Sequence, residues 1–411
     1  MLKTVATVVA AVLTLCLNDA SAETWSFEQM VGAAASSYPS VLSKVSSRES
    51  AAADVATAKW QRFPSPSIET ITDRSGKNNF VFRLQQPIWA GGSITNGIDS
   101  AKSLHEASDR AIREAQYDVV ARVIDAYVDT VRQQERKSVS QKNLKQHELL
   151  DDAIKRRVAS EVSPEVDHQL SRSRLSQAIN DLSAIDQALA RSLNSLSQLS
   201  GKEVSATSPL DLKALPLPEN REEAIREAIA ASPGLARLSL EEAAAEAQIK
   251  VKKSVYWPTL ALRYETSFNN SAAVYGASSD NRIMAVLEAQ SGAGLSAYSG
   301  VASAVARKDS AREERRAALR DLTRLISDAW NDMEAARTQL VNASSAKASA
   351  EDVAESYKRQ YIIGRKAWLD VLNAVREATQ SELYVVDATT QVAVSTLRIA
   401  LLTDKLKLEV K

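Results

Sequence analysis

The chain has 411 residues, of which only 12 are glycine and 10 are proline, while aromatic residues make up 5%. Compact domains interrupt their helices far more often, so this composition predicts long helices that share a thin apolar seam. Lys plus Arg and Asp plus Glu both number 51, and this balance argues against nucleic acid as a partner.

Residues 1–22 are typical of a cleaved export signal. Lys3 supplies a positive charge, Val5 to Leu17 form an apolar stretch too short to span a bilayer, and Ala20-Ser21-Ala22 resembles a cleavage site. The only cysteine, Cys16, lies inside this segment, so the mature chain would have no disulfide. No later segment has eighteen consecutive apolar residues, so the sequence predicts no transmembrane helix.

The first structural repeat, residues 23–200, begins with helical periodicity from Trp25 to Trp60 that breaks at Tyr38-Pro39. Two alternating segments follow, Ser67 to Asp73 and Phe80 to Gln85. Their alternation predicts a β-hairpin with one apolar and one polar face.

A long helix is predicted next, because residues 98–160 contain neither glycine nor proline and their apolar residues recur every three or four positions. At ~1.5 Å per residue this helix would be on the order of 95 Å long. A turn at residues 161–164, with Ser163 as N-cap and Pro164 at the first helical position, leads to a return helix that ends at Gly201.

The same plan returns in residues 221–408, after a proline-containing linker at residues 201–220. We predict a helix to Tyr256 with a break at Ser232-Pro233. Two strands follow, at Thr259 to Ser267 and Asn281 to Gln290. The chain then forms a long helix from Gly300 to Ile363, a turn at Gly364-Arg365-Lys366 and a closing helix up to Leu408. Asp125-Ala126-Tyr127 and Asp328-Ala329-Trp330 occupy the centres of the two long helices, where we expect Tyr127 and Trp330 to serve packing.

The apolar face of each amphipathic hairpin needs an environment other than water, and a lipid bilayer would provide one. Strands of about nine to eleven residues suffice to cross a bilayer, with the apolar face toward lipid and the polar face toward water. Lipid forbids open sheet edges, and common membrane barrels have at least ~8 strands. A chain with four strands therefore predicts a barrel assembled from several chains.

Several segments resemble the TolC-like outer-membrane channels, also called the outer membrane efflux protein family. They are Gln86-Pro87-Ile88-Trp89-Ala90-Gly91-Gly92, the two helix centres, and Tyr361 to Asn373 at the second helix turn. The resemblance implies a mainly α fold with a membrane β-barrel. Long α-helical hairpins and four strands per chain would close as a trimeric 12-stranded barrel in a Gram-negative outer membrane, with the helices extending into the periplasm.

The implied function is a passive duct of a tripartite export system. Its partners would be two further copies of the chain, outer-membrane lipid, a periplasmic adaptor and an inner-membrane transporter of the ABC type. We lean to type I protein secretion because Gln290 to Ser296 looks like members that serve adhesin or polysaccharide export, with drug efflux as the alternative. A periplasmic coiled-coil adaptor or scaffold is the competing class, but adaptors carry a single helical hairpin.

The resemblance also implies a periplasmic gate. Asp167 would face Tyr361 and Lys366, and Asp370 would lie just inside, where three copies of a carboxylate create a negative constriction. Asn373 occupies the position of a second acidic ring, which weakens the cation preference that we expect. The barrel-to-helix turns would lie at Pro87, Gly91, Gly92, Gly292 and Gly294.

The sequence supports an enzymatic function less well than it supports a channel. Gly292-Ala293-Gly294 and the residues after it fit a dinucleotide fingerprint, but the following helix is too long for that unit, so a turn is the better interpretation. His105, His147 and His168 are too scattered to bind a metal, and we expect them on helix surfaces. No nucleophile with a base partner is evident, so we predict neither an enzyme nor a cofactor.

Overall fold

The computed structural model describes residues 24–72, 78–210, 215–269, 279–289, 294 and 296–406. The predicted export signal lies outside these residues, as do the tips of both β-hairpins. The chain divides into two compact units. Unit 1 contains Met1–Tyr38, Tyr117–Ile225 and Ile326–Lys411, and unit 2 contains Pro39–Gln116 and Arg226–Leu325. Each unit therefore combines segments of both predicted repeats.

The main elements follow one order twice. The first half contains β1 (Thr24–Trp25), α1 (Phe27–Ser37), α2 (Pro39–Trp60), β2 (Ser65–Thr72), β3 (Asn78–Trp89), α3 (Ser93–Ala159) and α4 (Glu165–Ser200). The second half contains β4 (Ala206–Thr207), α5 (Arg221–Ala231), α6 (Pro233–Lys253), a short 3-10 turn (Ser254–Tyr256), β5 (Thr259–Asn269), β6 (Ser279–Glu288), α7 (Ser296–Ile362) and α8 (Trp368–Leu402).

Proline divides the first helical segment of each half, as predicted. Pro39 and Pro233 each begin a new helix, at a position where the missing amide proton costs no hydrogen bond. Before Pro233, the Ser232 hydroxyl accepts a hydrogen bond from the Leu235 amide at 3.2 Å. These prolines start helices α2 and α6.

A short parallel strand pair in unit 1 was not predicted. β1 pairs with β4 inside the segment that we had assigned as linker, with Trp25 opposite Thr207. The first helix therefore begins at Phe27, not at Trp25. Its cap is the reciprocal pair Ser26 and Gln29, in which each side chain accepts the other's amide proton.

Helix α8 supplies much of the core of unit 1. Among the described residues it is the one helix that is long and apolar enough to cross a membrane. Half of its most apolar window is buried within the protein, however, and Val371, Leu372 and Ile399 are fully buried. We interpret α8 as a core helix.

The four long strands form one sheet in unit 2, in the order β2-β3-β5-β6, with all neighbours antiparallel. Its two faces differ in chemistry, as the alternation predicts. Apolar side chains on one face are largely exposed in the single chain, including Ile68 at 76%, Ile283 at 71% and Leu287 at 69%. An exposed apolar sheet face of this kind requires a nonaqueous neighbour.

Charged side chains form a ladder across the other face. Arg83 of β3 lies opposite Glu265 of β5, which lies opposite Arg282 of β6. Arg83 Nε is 2.9 Å from Glu265 Oε2 and also pairs with Glu69 of β2, while Arg282 pairs with the second oxygen of Glu265. Glu265 is only 7% exposed, so it links three strands from a protected position.

Replacing Glu265 by glutamine should weaken the sheet. The amide would leave Arg83 and Arg282 close together without the carboxylate that separates their charges. We expect E265Q to lower the temperature at which the protein in detergent loses its folded, heat-modifiable gel mobility. The control is D54N, which changes an exposed carboxylate on α2 and should leave that temperature unchanged.

Candidate gate at the helix turns

The two helix turns of unit 1 share one backbone geometry. Glu161 after α3 and Gly364 after α7 both adopt positive φ, at 59° and 76°. In each turn the next amide bonds five residues back, from Val162 to the Arg157 carbonyl and from Arg365 to the Gln360 carbonyl, both at 2.9 Å. This is the Schellman arrangement that ends many helices. The sequence predicted the turns but not the left-handed conformation of Glu161.

Asp167 and Asp370 occupy equivalent positions, the third residue of α4 and of α8. The Asp370 carboxylate accepts a hydrogen bond from the Ala367 amide at 3.3 Å and so caps its own helix. Asp167 has no such donor, because the residue three positions earlier is Pro164, which lacks an amide proton. The two carboxylates, which the sequence treated alike, are therefore held differently.

A polar cluster links the two turns. The Tyr361 hydroxyl lies 3.2 Å from Ser163 Oγ, and Arg157 Nε donates to the same Ser163 oxygen at 3.3 Å. The Arg157 guanidinium also lies over the Tyr361 ring, 5.0 Å from its centroid. Ser163 is not the helix N-cap that we predicted, because Pro164 takes the extended N-cap conformation and the Ser163 side chain turns to Tyr361.

An apolar cluster holds Tyr361 in place. Its ring packs on Trp368 with centroids 4.9 Å apart. Trp368 lies in a buried group with Ile154, Val371 and Leu372, so residues of α3 and α8 meet there. The hydroxyl of Tyr361 is thus presented to Ser163 by a ring with little freedom.

The predicted gate residues lie at the two turns, but no hydrogen bond, ion pair or ring contact joins any two of them in the described part of the chain. Lys366 lies over the ring of Tyr357, with its ammonium nitrogen 4.1 Å from the centroid. Asp167 forms no side-chain hydrogen bond or ion pair with any residue described in this chain, so contacts to Tyr361 and Lys366 would have to come from another copy. Arg157, Ser163 and Tyr357 were missed as cluster members, because no local pattern distinguishes them from ordinary helix and turn residues.

The strand-to-helix turns lie in unit 2. Pro87 lies in β3 next to a register shift between Pro87 and Trp89. Gly91 and Gly92 follow with φ of +58° and +87°, and α3 begins at Ser93. Gly294 precedes α7 and also has positive φ, at +58°, whereas Gly292 lies outside the described residues.

Gly91 is the most constrained of these glycines, and alanine there should be destabilising. A Cβ atom would lie 2.9 Å from the Ser254 carbonyl oxygen and 3.0 Å from Trp257 Cβ. The left-handed conformation alone costs about 1–2 kcal/mol for other residues. The matched control is G97A, because Gly97 lies within α3 with open space around it and alanine there should gain about 0.5–1 kcal/mol. The two variants should shift the unfolding temperature in opposite directions.

The histidines depart from the expected surface pattern. His147 is buried, at 5% exposure, although we predicted it on a helix surface. His168 lies beside carboxylates, 3.4 Å from Glu165 and 3.8 Å from Asp151. No group of three or more metal-binding side chains occurs within the described part of the chain. The structure therefore offers no metal centre there.

Comparisons with known proteins agree with the fold and with the resemblance seen in the sequence. BepC of Brucella suis biovar 1 (strain 1330), an outer membrane efflux protein, is 21% identical over 330 residues, which cover 79% of this chain and 71% of BepC. A membrane protein from Pseudomonas aeruginosa has a similar structure, with a TM-score of 0.81 and 18% identity over 92% of this chain and 90% of that one.

The Campylobacter jejuni CmeC outer membrane channel is similar at a TM-score of 0.79 and 16% identity, over 92% of this chain and 85% of CmeC. These likenesses confirm the mainly α channel fold. A sequence profile of outer membrane efflux proteins matches residues 22–202 and 224–403. The chain belongs to the outer membrane efflux protein family.

Proposed function

We propose that the protein is the outer-membrane channel of a tripartite export system and that it acts as a homotrimer. The observation that carries this proposal is the sheet of unit 2. Its exposed apolar face, with Ile68, Ile283 and Leu287, suits lipid, and its charged face suits a water-filled lumen. Four strands leave two open edges, and three chains would close them into twelve strands.

Export of the chain requires a signal sequence, and residues 1–22 have the pattern of a signal peptide that is removed after Ala22. The mature protein would insert its strands in the outer membrane and place its helix turns in the periplasm. There an adaptor and an inner-membrane transporter, for which we propose the ABC type, would engage and open it. Membrane fractionation tests this: trimeric, heat-modifiable migration in the outer-membrane fraction supports the channel, and recovery in the soluble periplasm supports an adaptor or scaffold instead.

The gate would be held shut by the Ser163–Tyr361–Arg157 cluster and by the contact of Lys366 with Tyr357. The Ser163–Tyr361–Arg157 cluster links the first turn to the end of α7, and these must separate if the turns are to move apart. The Lys366–Tyr357 contact holds the second turn on its own helix. These contacts are also weak individually, as a hydrogen bond contributes only about 0.5–1.5 kcal/mol. Such contacts suit a closure that a partner protein can release.

Asp167 should contribute more to ion selectivity than Asp370. Asp370 already accepts the Ala367 amide proton, whereas Asp167 has no described partner in its own chain. Three copies of Asp167 would therefore form the more available negative ring. We expect D167N to reduce cation preference clearly and D370N to reduce it less. Reversal potentials in planar bilayers under a KCl gradient measure this, and a larger effect of D370N would contradict the assignment.

Two cargo classes remain candidates, each with its own observation. Small-molecule efflux is favoured by the similarity of this chain to BepC, which is an outer membrane efflux protein. Protein secretion is favoured by the sequence of residues 290–296, most of which lie outside the described residues. Deletion of the gene distinguishes them. Greater sensitivity to drugs or detergents supports efflux, and loss of a large secreted or surface protein supports secretion.

A further inference from the structure

Unit 1 contains a polar cavity between α3, α4 and α8 that the proposed channel does not use. Its volume is 340 Å³, within the range of about 300–1,000 Å³ found for small-molecule sites. Three arginines line it, one from each helix: Arg136, Arg174 and Arg376. Asp181 is the one carboxylate among the described lining residues. The cavity therefore has an excess of positive charge.

Two of these arginines have no counter-charge. Arg136 pairs with Asp387 at 3.3 Å, but Arg174 and Arg376 form no hydrogen bond or ion pair with any residue that the structure describes. Asp181 forms no ion pair with either of them, and its carboxylate accepts a hydrogen bond from Gln177 of the same helix at 2.8 Å. Guanidinium groups that line a cavity without a paired carboxylate are suited to bind a ligand with more than one negative charge.

Three of the residues that line the cavity carry buried nitrogen atoms without hydrogen-bond partners among the described residues. His147 is 5% exposed, and its Nδ1 atom is buried with no hydrogen-bond partner among the described residues. The Nε atoms of Arg136 and Arg174 are buried in the same way. Burial, with the positive charges of Arg174 and Lys358, lowers the pKa of His147. Buried polar atoms are ordinarily satisfied, so the wall of this cavity is unusual in leaving three of them without a partner in the described part of the chain.

We propose that this cavity binds a small multivalent oxyanion, a phosphate or a polycarboxylate. Arg174 and Arg376 would supply the counter-charges. Because the three arginines come from three helices, the bound anion would tie the α3–α4 hairpin to α8. The proposal goes beyond the channel function and does not depend on it.

Isothermal titration calorimetry of the purified full-length protein in detergent tests whether the cavity binds an anion. Inorganic phosphate and citrate are titrated separately, and NaCl keeps the ionic strength constant. We expect saturable binding of at least one of them, at one site per chain, and the tighter of the two identifies the ligand class. The double variant R174Q/R376Q should bind at least about tenfold more weakly, as expected for the loss of charge-assisted hydrogen bonds.

The control is R172Q, which removes the same charge from α4. Arg172 is exposed and does not line the cavity, so binding should be unchanged. The single variant R376Q alters an exposed side chain and should weaken binding even if the double variant does not fold. The proposal is overturned if neither probe binds saturably, if R174Q/R376Q binds like the unaltered protein, or if R172Q loses binding equally. It is also overturned if the variants disrupt the oligomer while the unaltered protein binds no anion, because the arginines would then pair with a neighbouring copy.

Discussion

Replacement of Tyr127 by alanine is expected to destabilise unit 1 by about 3–5 kcal/mol, the usual cost of removing a large buried ring. Tyr127 of α3 is fully buried and contacts the Phe27 ring edge-on, with centroids 5.4 Å apart. Its hydroxyl lies 3.0 Å from the Trp25 carbonyl oxygen and 2.8 Å from that of Ser208. The side chain thus holds both the N-terminal strand and the segment after β4 against the long helix.

Phenylalanine at the same position separates packing from hydrogen bonding. Burial raises the pKa of Tyr127 to about 12, so the hydroxyl stays protonated and remains a donor. Y127F should cost about 1–3 kcal/mol, because the Ser208 carbonyl loses its hydroxyl donor while the ring remains, whereas the Trp25 carbonyl keeps the Ser208 amide as a donor. Denaturant unfolding measures both variants. Y384A, at an exposed position on α8, is the control, and an effect of Y127A no larger than that of Y384A would contradict this role.

The second large effect is expected at the gate, where Tyr361→Phe should increase channel opening. The change removes only the hydroxyl that contacts Ser163, and the ring can still pack on Trp368 and under Arg157. A hydrogen bond of about 0.5–1.5 kcal/mol shifts an open–closed equilibrium by roughly twofold to tenfold. Single-channel recording should show larger or more frequent openings.

Ser163→Ala provides the matched test of this contact. It removes the other partner, so S163A should raise opening similarly, and the double variant S163A/Y361F should add little. Fully additive effects would show that the two hydroxyl groups act separately. Unchanged opening in all three variants would contradict a gate at these residues.

Periodic patterns in the sequence predicted the parts of the fold that repeat along the chain. Alternation in β5 placed Leu262 and Glu265 on opposite faces, and the structure confirms this through the exposed apolar face and the charge ladder. Helical spacing likewise predicted α3 and α7, each of which is a single helix of 67 residues. Both signals are local, so they can be read without knowing the tertiary contacts.

Features that depend on distant contacts were not predicted. Strands β1 and β4 have two residues each, too few for any periodicity, and they are stabilised in part by Tyr127 from another segment. His147 is buried, although nothing in its local sequence distinguishes it from a surface histidine. At the gate, Tyr361 was predicted as a member, but its partners Ser163 and Arg157 come from the other half of the chain.

The central claim is that the protein forms a passive channel through the outer membrane. Conductance of the purified protein in planar lipid bilayers tests this most directly. We predict discrete, ion-conducting steps without any energy source, and larger or more frequent openings for Y361F. Folded, trimeric protein that inserts in the bilayer but conducts no ions in either form would contradict the account.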